Sequence, residues 1–221
     1  MVARLHYGEL NGTLTGREPQ VRIQNVVATG ALRQNLDLYS ILKVSARAEY
    51  NPQRFPGLVY RLKSPKTSSL LFSTGKMVCT GAKSERSAKA AIRRIANELR
   101  THGIVIIRNP EVRIENIVAT ADLNGTLDLE IVAERLTKTI YEPEQFPGLI
   151  YRMDEPKTVI LIFTSGKLVI TGAKTEIEVR LAAKQLQETL EKNELISYIK
   201  LASLRDTISV PTIVPVKQTQ S

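Results

Sequence analysis

The chain has four phenylalanines, and they fall as two pairs: Phe55 with Phe72, and Phe146 with Phe163, the second pair 91 residues after the first. Arg61 and Lys76 recur at the same offset as Arg152 and Lys167, and Asn25 recurs as Asn116. Cations repeated in this way suit an anionic ligand, and asparagines supply amide donors. Covalent chemistry has little to work with. His6 lies in a polar lead and His102 at a helix end, Cys79 has no partner, and Thr171-Gly172-Ala173-Lys174 is not a phosphate-binding glycine loop. No catalytic residue, metal site or cofactor is expected, so the chemistry on offer is recognition.

The elements that must position these residues are also duplicated. Residues 146–174, FPGLIYRMDEPKTVILIFTSGKLVITGAK, match residues 55–83, FPGLVYRLKSPKTSSLLFSTGKMVCTGAK, at 18 of 29 positions without a gap. One structural unit is used twice. Residues 21–29 (VRIQNVVAT) and 112–120 (VRIENIVAT) read as strands, being rich in β-branched residues. Helical stretches of about ten residues open at Leu36-Asp37-Leu38 and Leu127-Asp128-Leu129, each closed by a Pro-containing link. Three strands follow in each half, at 58–62, 68–72 and 76–80, then 149–153, 158–163 and 167–171. The short turns between them imply an antiparallel meander. Longer helices at 84–99 and 175–190 carry an apolar stripe and start at Ser84 and Thr175, whose hydroxyls are expected to cap them with no reciprocal carboxylate or amide. A fifth strand is expected at 103–108 (GIVIIR), with its counterpart at 194–200. The repeat of Leu-Asn-Gly-Thr-Leu at 10–14 and 123–127 is out of register with the duplication and reads as coincidence. The expected organisation is a lead at 1–19, repeats at 20–108 and 109–200, and a tail at 201–221.

Composition bounds the partner. Formal charge is +9 and the pI about 9.7, which favours polyanions, nucleic acid first and anionic membrane second. Charged residues at 24% and hydrophobic ones at 43% are ordinary globular proportions. No run approaches ~18 apolar residues, so no membrane span is expected. The lone Cys79 excludes a disulfide framework within the chain, which fits a reducing compartment.

The expected fold is α+β: a two-fold pseudo-symmetric sheet of about ten curved antiparallel strands with four helices on one side. A sheet covered on one side should alternate apolar with polar residues, and these strands do not. Leu70 and Phe72 oppose Leu71, while Val159, Leu161 and Phe163 oppose Ile160 and Ile162. Either the halves stack as a sandwich or a wide apolar face is left for a ligand. A partner that fits such a face with basic surroundings is a widened duplex minor groove, whose floor offers acceptors at A·T pairs and an added donor at G·C. Asn25 and Asn116 can donate to those acceptors. A protein-binding module that dimerises through the sheet is the competing reading.

The same residues carry a resemblance to the TATA-box-binding protein family, closest to its archaeal members. It covers residues 21–200 and rests on QNVVAT at 24–29, EYNP at 49–52, STGK through TGAK at 73–83, and YEPEQFPGLIYRM at 141–153. The resemblance implies a saddle whose concave face sits on DNA, with Phe55, Phe72, Phe146 and Phe163 as wedges. It maps the groove-facing positions onto Val27, Leu70, Val78 and Thr80, and onto Val118, Leu161, Val169 and Thr171. Asn25 and Asn116 match the two family asparagines, Arg61 and Arg152 meet phosphate, and Lys76 and Lys167 follow as further phosphate contacts.

The resemblance also implies partners: double-stranded promoter DNA, transcription factor B on Glu142, Glu144 and Gln145, and through it RNA polymerase. The function implied is that of a general transcription initiation factor, with a homodimer through the concave face when DNA is absent. Localisation follows lineage, the nucleoid within the cytoplasm for an archaeal cell and the nucleus for a eukaryotic one. A tail without the acidic residues of many archaeal relatives and sixteen or so N-terminal residues with no family match are the departures from the pattern, while the basic helix at 84–99 fits either a convex face for regulators or nearby DNA or a solvated helix face.

Overall fold

The structure is a computed structural model and describes residues 18–198. In chain order the elements are β1 (Arg22–Ala31), α1 (Leu38–Val44), β2 (Ala48–Glu49), β3 (Leu58–Lys63), β4 (Lys66–Leu71), β5 (Lys76–Ala82), α2 (Glu85–Thr101), β6 (Glu111–Asp122), β7 (Gly125–Leu127) and α3 (Leu129–Arg135). They continue with β8 (Thr139–Ile140), β9 (Leu149–Met153), β10 (Thr158–Ile162), β11 (Lys167–Ala173), α4 (Glu176–Lys192) and β12 (Ile196–Tyr198).

Ten strands form one antiparallel sheet in the order β2-β3-β4-β5-β1-β6-β11-β10-β9-β8. The order is palindromic because each half lays its first strand at the centre and its meander outward. In the central pair Val26 lies opposite Ile117, its own copy 91 residues on. The pseudo-twofold axis therefore passes between those two residues. Register shifts lie on both sides of this pair and again where β11 meets β6. Such bulges bend strands and add twist, and the sheet is a saddle with four helices on its convex face.

One face of every central strand packs against the helices. Leu58, Tyr60, Leu71 and Met77 of the first half, with Leu149, Ile160, Ile162 and Ile170 of the second, are inaccessible to solvent. Against them α2 sets Ala88, Ala91, Ile92, Ile95, Ala96 and Leu99, and α4 sets Val179, Ala182, Ala183, Leu186 and Leu190. The alanines let each helix lie close to the sheet, and each fully buried Ile or Leu contributes roughly 1.5–3 kcal/mol.

The helix starts follow from their caps. Ser84 Oγ accepts the Ser87 N–H at 3.0 Å and Thr175 Oγ1 the Glu178 N–H at 3.1 Å. Contrary to expectation, a carboxylate does stand three residues after Thr175, and Glu178 reaches back past the cap to accept the Lys174 N–H at 2.7 Å. The two long helices also cap each other. The Glu85 N–H donates to Glu176 at 3.0 Å and the Glu176 N–H donates to Glu85 at 2.8 Å. Each carboxylate offsets the positive end of the other half's helix, tying the repeats together across the axis with roughly 1 kcal/mol per cap.

Two expectations need correction. Residues 103–108 do not form a strand, because Gln34 fills the place of the neighbouring one. Its Nε2 donates to the Val105 carbonyl at 2.7 Å and its Oε1 accepts the Ile107 N–H at 2.9 Å. Arg100 takes the other edge, donating to the carbonyls of Ile106 and Arg108. The copy of Gln34 is Gly125, where no side chain intervenes, so backbone meets backbone and β7 pairs with β12 in a small separate sheet. The expected extension of that strand to residue 200 and the tail at 201–221 lie outside the described residues, as does most of the lead. The second correction concerns α1 and α3, which span seven residues each instead of about ten. The chain turns early to place the two-residue edge strands β2 and β8, which are too short to leave a sequence pattern.

Candidate nucleic-acid interface

The face of the sheet turned away from the helices is apolar and, among the described residues, uncovered. In the first half the strand register aligns Val59, Leu70, Val78 and Thr29 in one row across four strands. The second half aligns Ile150, Leu161, Val169 and Thr120 in the same way. All eight are only half-buried, as are Val27 and Val118 on the central strands. Val59, Ile150, Thr29 and Thr120 were missed by the sequence reading. Alternation with the buried Leu58, Leu149, Ala28 and Ala119 was the signal that could have found them.

In each half a pair of phenylalanines lies at the strand ends, Phe55 before β3 and Phe72 after β4, Phe146 before β9 and Phe163 after β10. The Phe55 and Phe72 rings are 6.1 Å apart at 64°, and Phe146 and Phe163 are 5.9 Å apart at 67°, both edge to face. Phe55 is 43% and Phe146 36% exposed, which is high for the largest apolar side chains in the chain. The Phe-Pro-Gly sequence explains how the rings lie. A methyl group on Gly57 would come within 2.7 Å of Phe55 Cε1 and 3.1 Å of Phe72 Cε1, and one on Gly148 within 2.6 and 3.0 Å of the equivalent atoms. Glycine leaves room for both rings to rest on the backbone. Phe72 and Phe163 are held by tight turns in which Gly75 and Gly166 donate to their carbonyls at 2.8 Å.

At the centre, Asn25 and Asn116 are held in one orientation. Asn25 Oδ1 accepts the Gly81 N–H at 2.7 Å, and its Nδ2 donates to Thr80 Oγ1 at 3.1 Å. Asn116 repeats this with Gly172 at 2.8 Å and Thr171 at 3.1 Å. Since each carbonyl oxygen is turned to a glycine N–H, the amide group faces its threonine and keeps a second N–H. The structure thus gathers Asn25, Val27, Leu70, Val78 and Thr80 with Asn116, Val118, Leu161, Val169 and Thr171 on one surface, bounded at both ends by the phenylalanine pairs.

A model of the family described as transcription factor TFIID (or TATA-binding protein, TBP) matches residues 20–102 and again residues 111–193. The chain belongs to the TATA-box-binding protein family. It is of the archaeal type. It is 55% identical over 175 residues to the TATA-box-binding protein of Pyrodictium occultum, covering 79% of this chain and 88% of that one. Against the TATA-box-binding protein of Methanocaldococcus jannaschii it is 49% identical over 175 residues, covering 79% and 96%. A solved structure, Methanococcus jannaschii TBP, aligns with a TM-score of 0.72 at 48% identity and covers 78% of this chain and 99% of that one. Members of the family are non-catalytic DNA-binding factors.

The charged rim of this family member is less symmetric than its apolar floor. Arg61 is engaged by Glu49 at 2.5 Å, a hydrogen bond and charge that hold the Glu49 carboxyl below its ordinary range. The copy of Glu49 is Ile140, so Arg152 has no carboxylate at that position. Lys76 and Lys167 open β5 and β11, opposite Ala31 and Asp122. The loops before Phe55 and Phe146 share a backbone turn, in which Asn51 and Glu142 carbonyls accept the N–H groups of Phe55 and Phe146. Their side chains differ. Glu142, Glu144 and Gln145 are exposed where the first loop has Asn51, Gln53 and Arg54, so one loop is acidic and the other basic.

Proposed function

We propose that the concave face binds the minor groove of A·T-rich promoter duplexes and kinks it by insertion of Phe55 and Phe72 at one end and Phe146 and Phe163 at the other. The observation that carries this reading is the uncovered apolar floor with a phenylalanine pair at each end, one ring exposed and its neighbour half-buried. Apolar wedges in a bent minor groove are an established mode for TATA-box-binding proteins. The unstacking costs a few kcal/mol per step and is offset by protein surface that reaches only bent DNA. Val27, Leu70, Val78, Thr80 and their copies contact the floor, Asn25 and Asn116 donate to its acceptors, and Arg61, Lys76, Arg152 and Lys167 meet phosphate. Flexible TA steps favour the bend, and the guanine amino group opposes the apolar floor.

A gel-shift and fluorescence bending assay on an eight-base-pair TATA-like site tests this directly. Each central G·C substitution is expected to cost about 1–3 kcal/mol of affinity. Equal affinity for A·T and G·C duplexes without a bend would sink the reading and leave a protein-binding saddle in its place.

The acidic loop serves the second step. Glu142, Glu144 and Gln145 repel phosphate and attract a basic protein surface, so we assign them to transcription factor B, which in turn recruits RNA polymerase. Reversing both charges, Glu142→Arg with Glu144→Arg, is expected to abolish the supershift by that factor while binary DNA binding persists. Loss of both together, or of neither, would count against the assignment. Without DNA the same concave face can close on a second copy of the chain. The compartment that fits is the nucleoid within an archaeal cytoplasm.

A further inference from the structure

The two ends of the concave face look alike until the proton positions are followed. Thr29 and Thr120 are copies of each other, and each stands between a valine and an arginine: Val78 and Arg113 beside Thr29, Val169 and Arg22 beside Thr120. The residue that touches each hydroxyl differs. Thr29 Oγ1 donates to Glu115 Oε1 at 2.6 Å. The copy of Glu115 is Gln24, whose Nε2 donates to Thr120 Oγ1 at 2.9 Å.

A threonine hydroxyl has one proton. A carboxylate can only accept, so Thr29 spends its proton on Glu115 and turns lone pairs outward. Thr120 receives a hydrogen bond from an amide and keeps its proton to donate. The hydroxyl at the first-half end is therefore an acceptor and the one at the second-half end a donor. The charges immediately around the two hydroxyls do not separate them. Around Thr29 stand Arg33, Lys76 and Arg113 against Glu111 and Glu115; around Thr120 stand Arg22 and Lys167 against Asp122. Each set carries one net positive charge.

The minor-groove floor shows only acceptors at A·T pairs, and G·C adds an amino donor. We propose that the Glu115–Thr29 and Gln24–Thr120 pairs set the direction in which the saddle sits on an asymmetric site, the second-half end over uninterrupted A·T and the first-half end over a terminal G·C pair. This rests on the minor-groove reading. Glu115 acts through Thr29 and is a positioning residue.

The test uses the full chain with Thr74→Cys in the first-half turn carrying a DNA-cleaving iron chelate. The native Cys79 is fully buried, and burial pushes its thiol pKa up, with the Ser69 and Thr67 hydroxyls only partly opposing the shift, so the label goes to position 74. On a duplex of A·T pairs ending in one G·C pair, cleavage should favour the G·C side about fivefold, the value of one hydrogen bond of ~1 kcal/mol. Glu115→Gln should bring that ratio toward one. Glu115→Gln combined with Gln24→Glu, which conserves total charge, should invert it. A ratio near one for the unexchanged protein on a duplex that it binds and bends overturns the proposal, and so does a ratio that the exchange leaves unmoved. Affinity and bend angle measured on the same samples identify the other failure: without A·T preference or a bend, the minor-groove reading falls and takes this assignment with it.

Discussion

Replacing Phe146 and Phe163 together by alanine should abolish the sharp bend at one end of an A·T duplex and weaken binding by about 2–6 kcal/mol, taking about 1–3 kcal/mol for each lost aromatic–base stack. The effect is large because the two rings act as one body. They touch edge to face at 5.9 Å and both rest on Gly148, so removing one leaves the other without its support. Both rings stand on the uncovered face outside the convex core, so the double variant should unfold close to the parent protein in urea. A bend angle unchanged in fluorescence energy transfer, with affinity lost only in proportion to apolar area, would refute insertion and leave simple surface contact. Gly148→Ala would reach the same site indirectly, by pushing both rings off their seat.

The second large effect falls on stability. Gly166 has a φ of +74°, and a methyl group there would lie 2.1 Å from the Gly125 carbonyl oxygen, far inside contact distance. Neither backbone segment is free to retreat. The Leu123 N–H donates to the Gly166 carbonyl and the Leu127 N–H to the Thr164 carbonyl, both at 3.0 Å. Gly166→Ala therefore combines left-handed strain of about 1–2 kcal/mol with a backbone clash, and the expected total is about 3–5 kcal/mol. Gly103 supplies the comparison, having a φ of +82° and nothing within 4 Å of where its methyl group would lie. Gly103→Ala should show the strain alone. Urea midpoints decide the matter, and equal losses at the two positions would mean that the turn relaxes and that the clash carries no weight. Because Gly166 also closes the turn that carries Phe163, the variant should bind A·T duplexes less tightly even where it remains folded.

Much of this architecture was legible in one dimension. Turn residues such as Thr74-Gly75 and Ser165-Gly166 punctuate runs of β-branched residues, and that local code placed β3 to β5 and β9 to β11. The stripe of Ala88, Ala91, Ile92, Ile95 and Leu99 placed α2 and the side that it buries. The most informative signal was a missing one. The strands do not alternate polar with apolar, so the sheet had to carry a second apolar face, and the structure leaves that face uncovered within residues 18–198. The phenylalanine pairs and both asparagines were singled out by type and spacing.

The features that break the repeat's symmetry were not legible in this way, and each depends on one side chain meeting a distant segment. Gln34 replaces a strand at residues 104–107, where its copy Gly125 admits one. Glu85 and Glu176 cap each other's helices across the axis, and Glu115 captures the Thr29 proton from 86 positions away. The sequence alone determined the duplicated unit, its element types and its apolar second face, because periodicity and turn chemistry act over neighbouring residues. Only the tertiary structure decided which copies differ in hydrogen-bond direction, since that depends on which donor and acceptor the saddle brings within 3 Å.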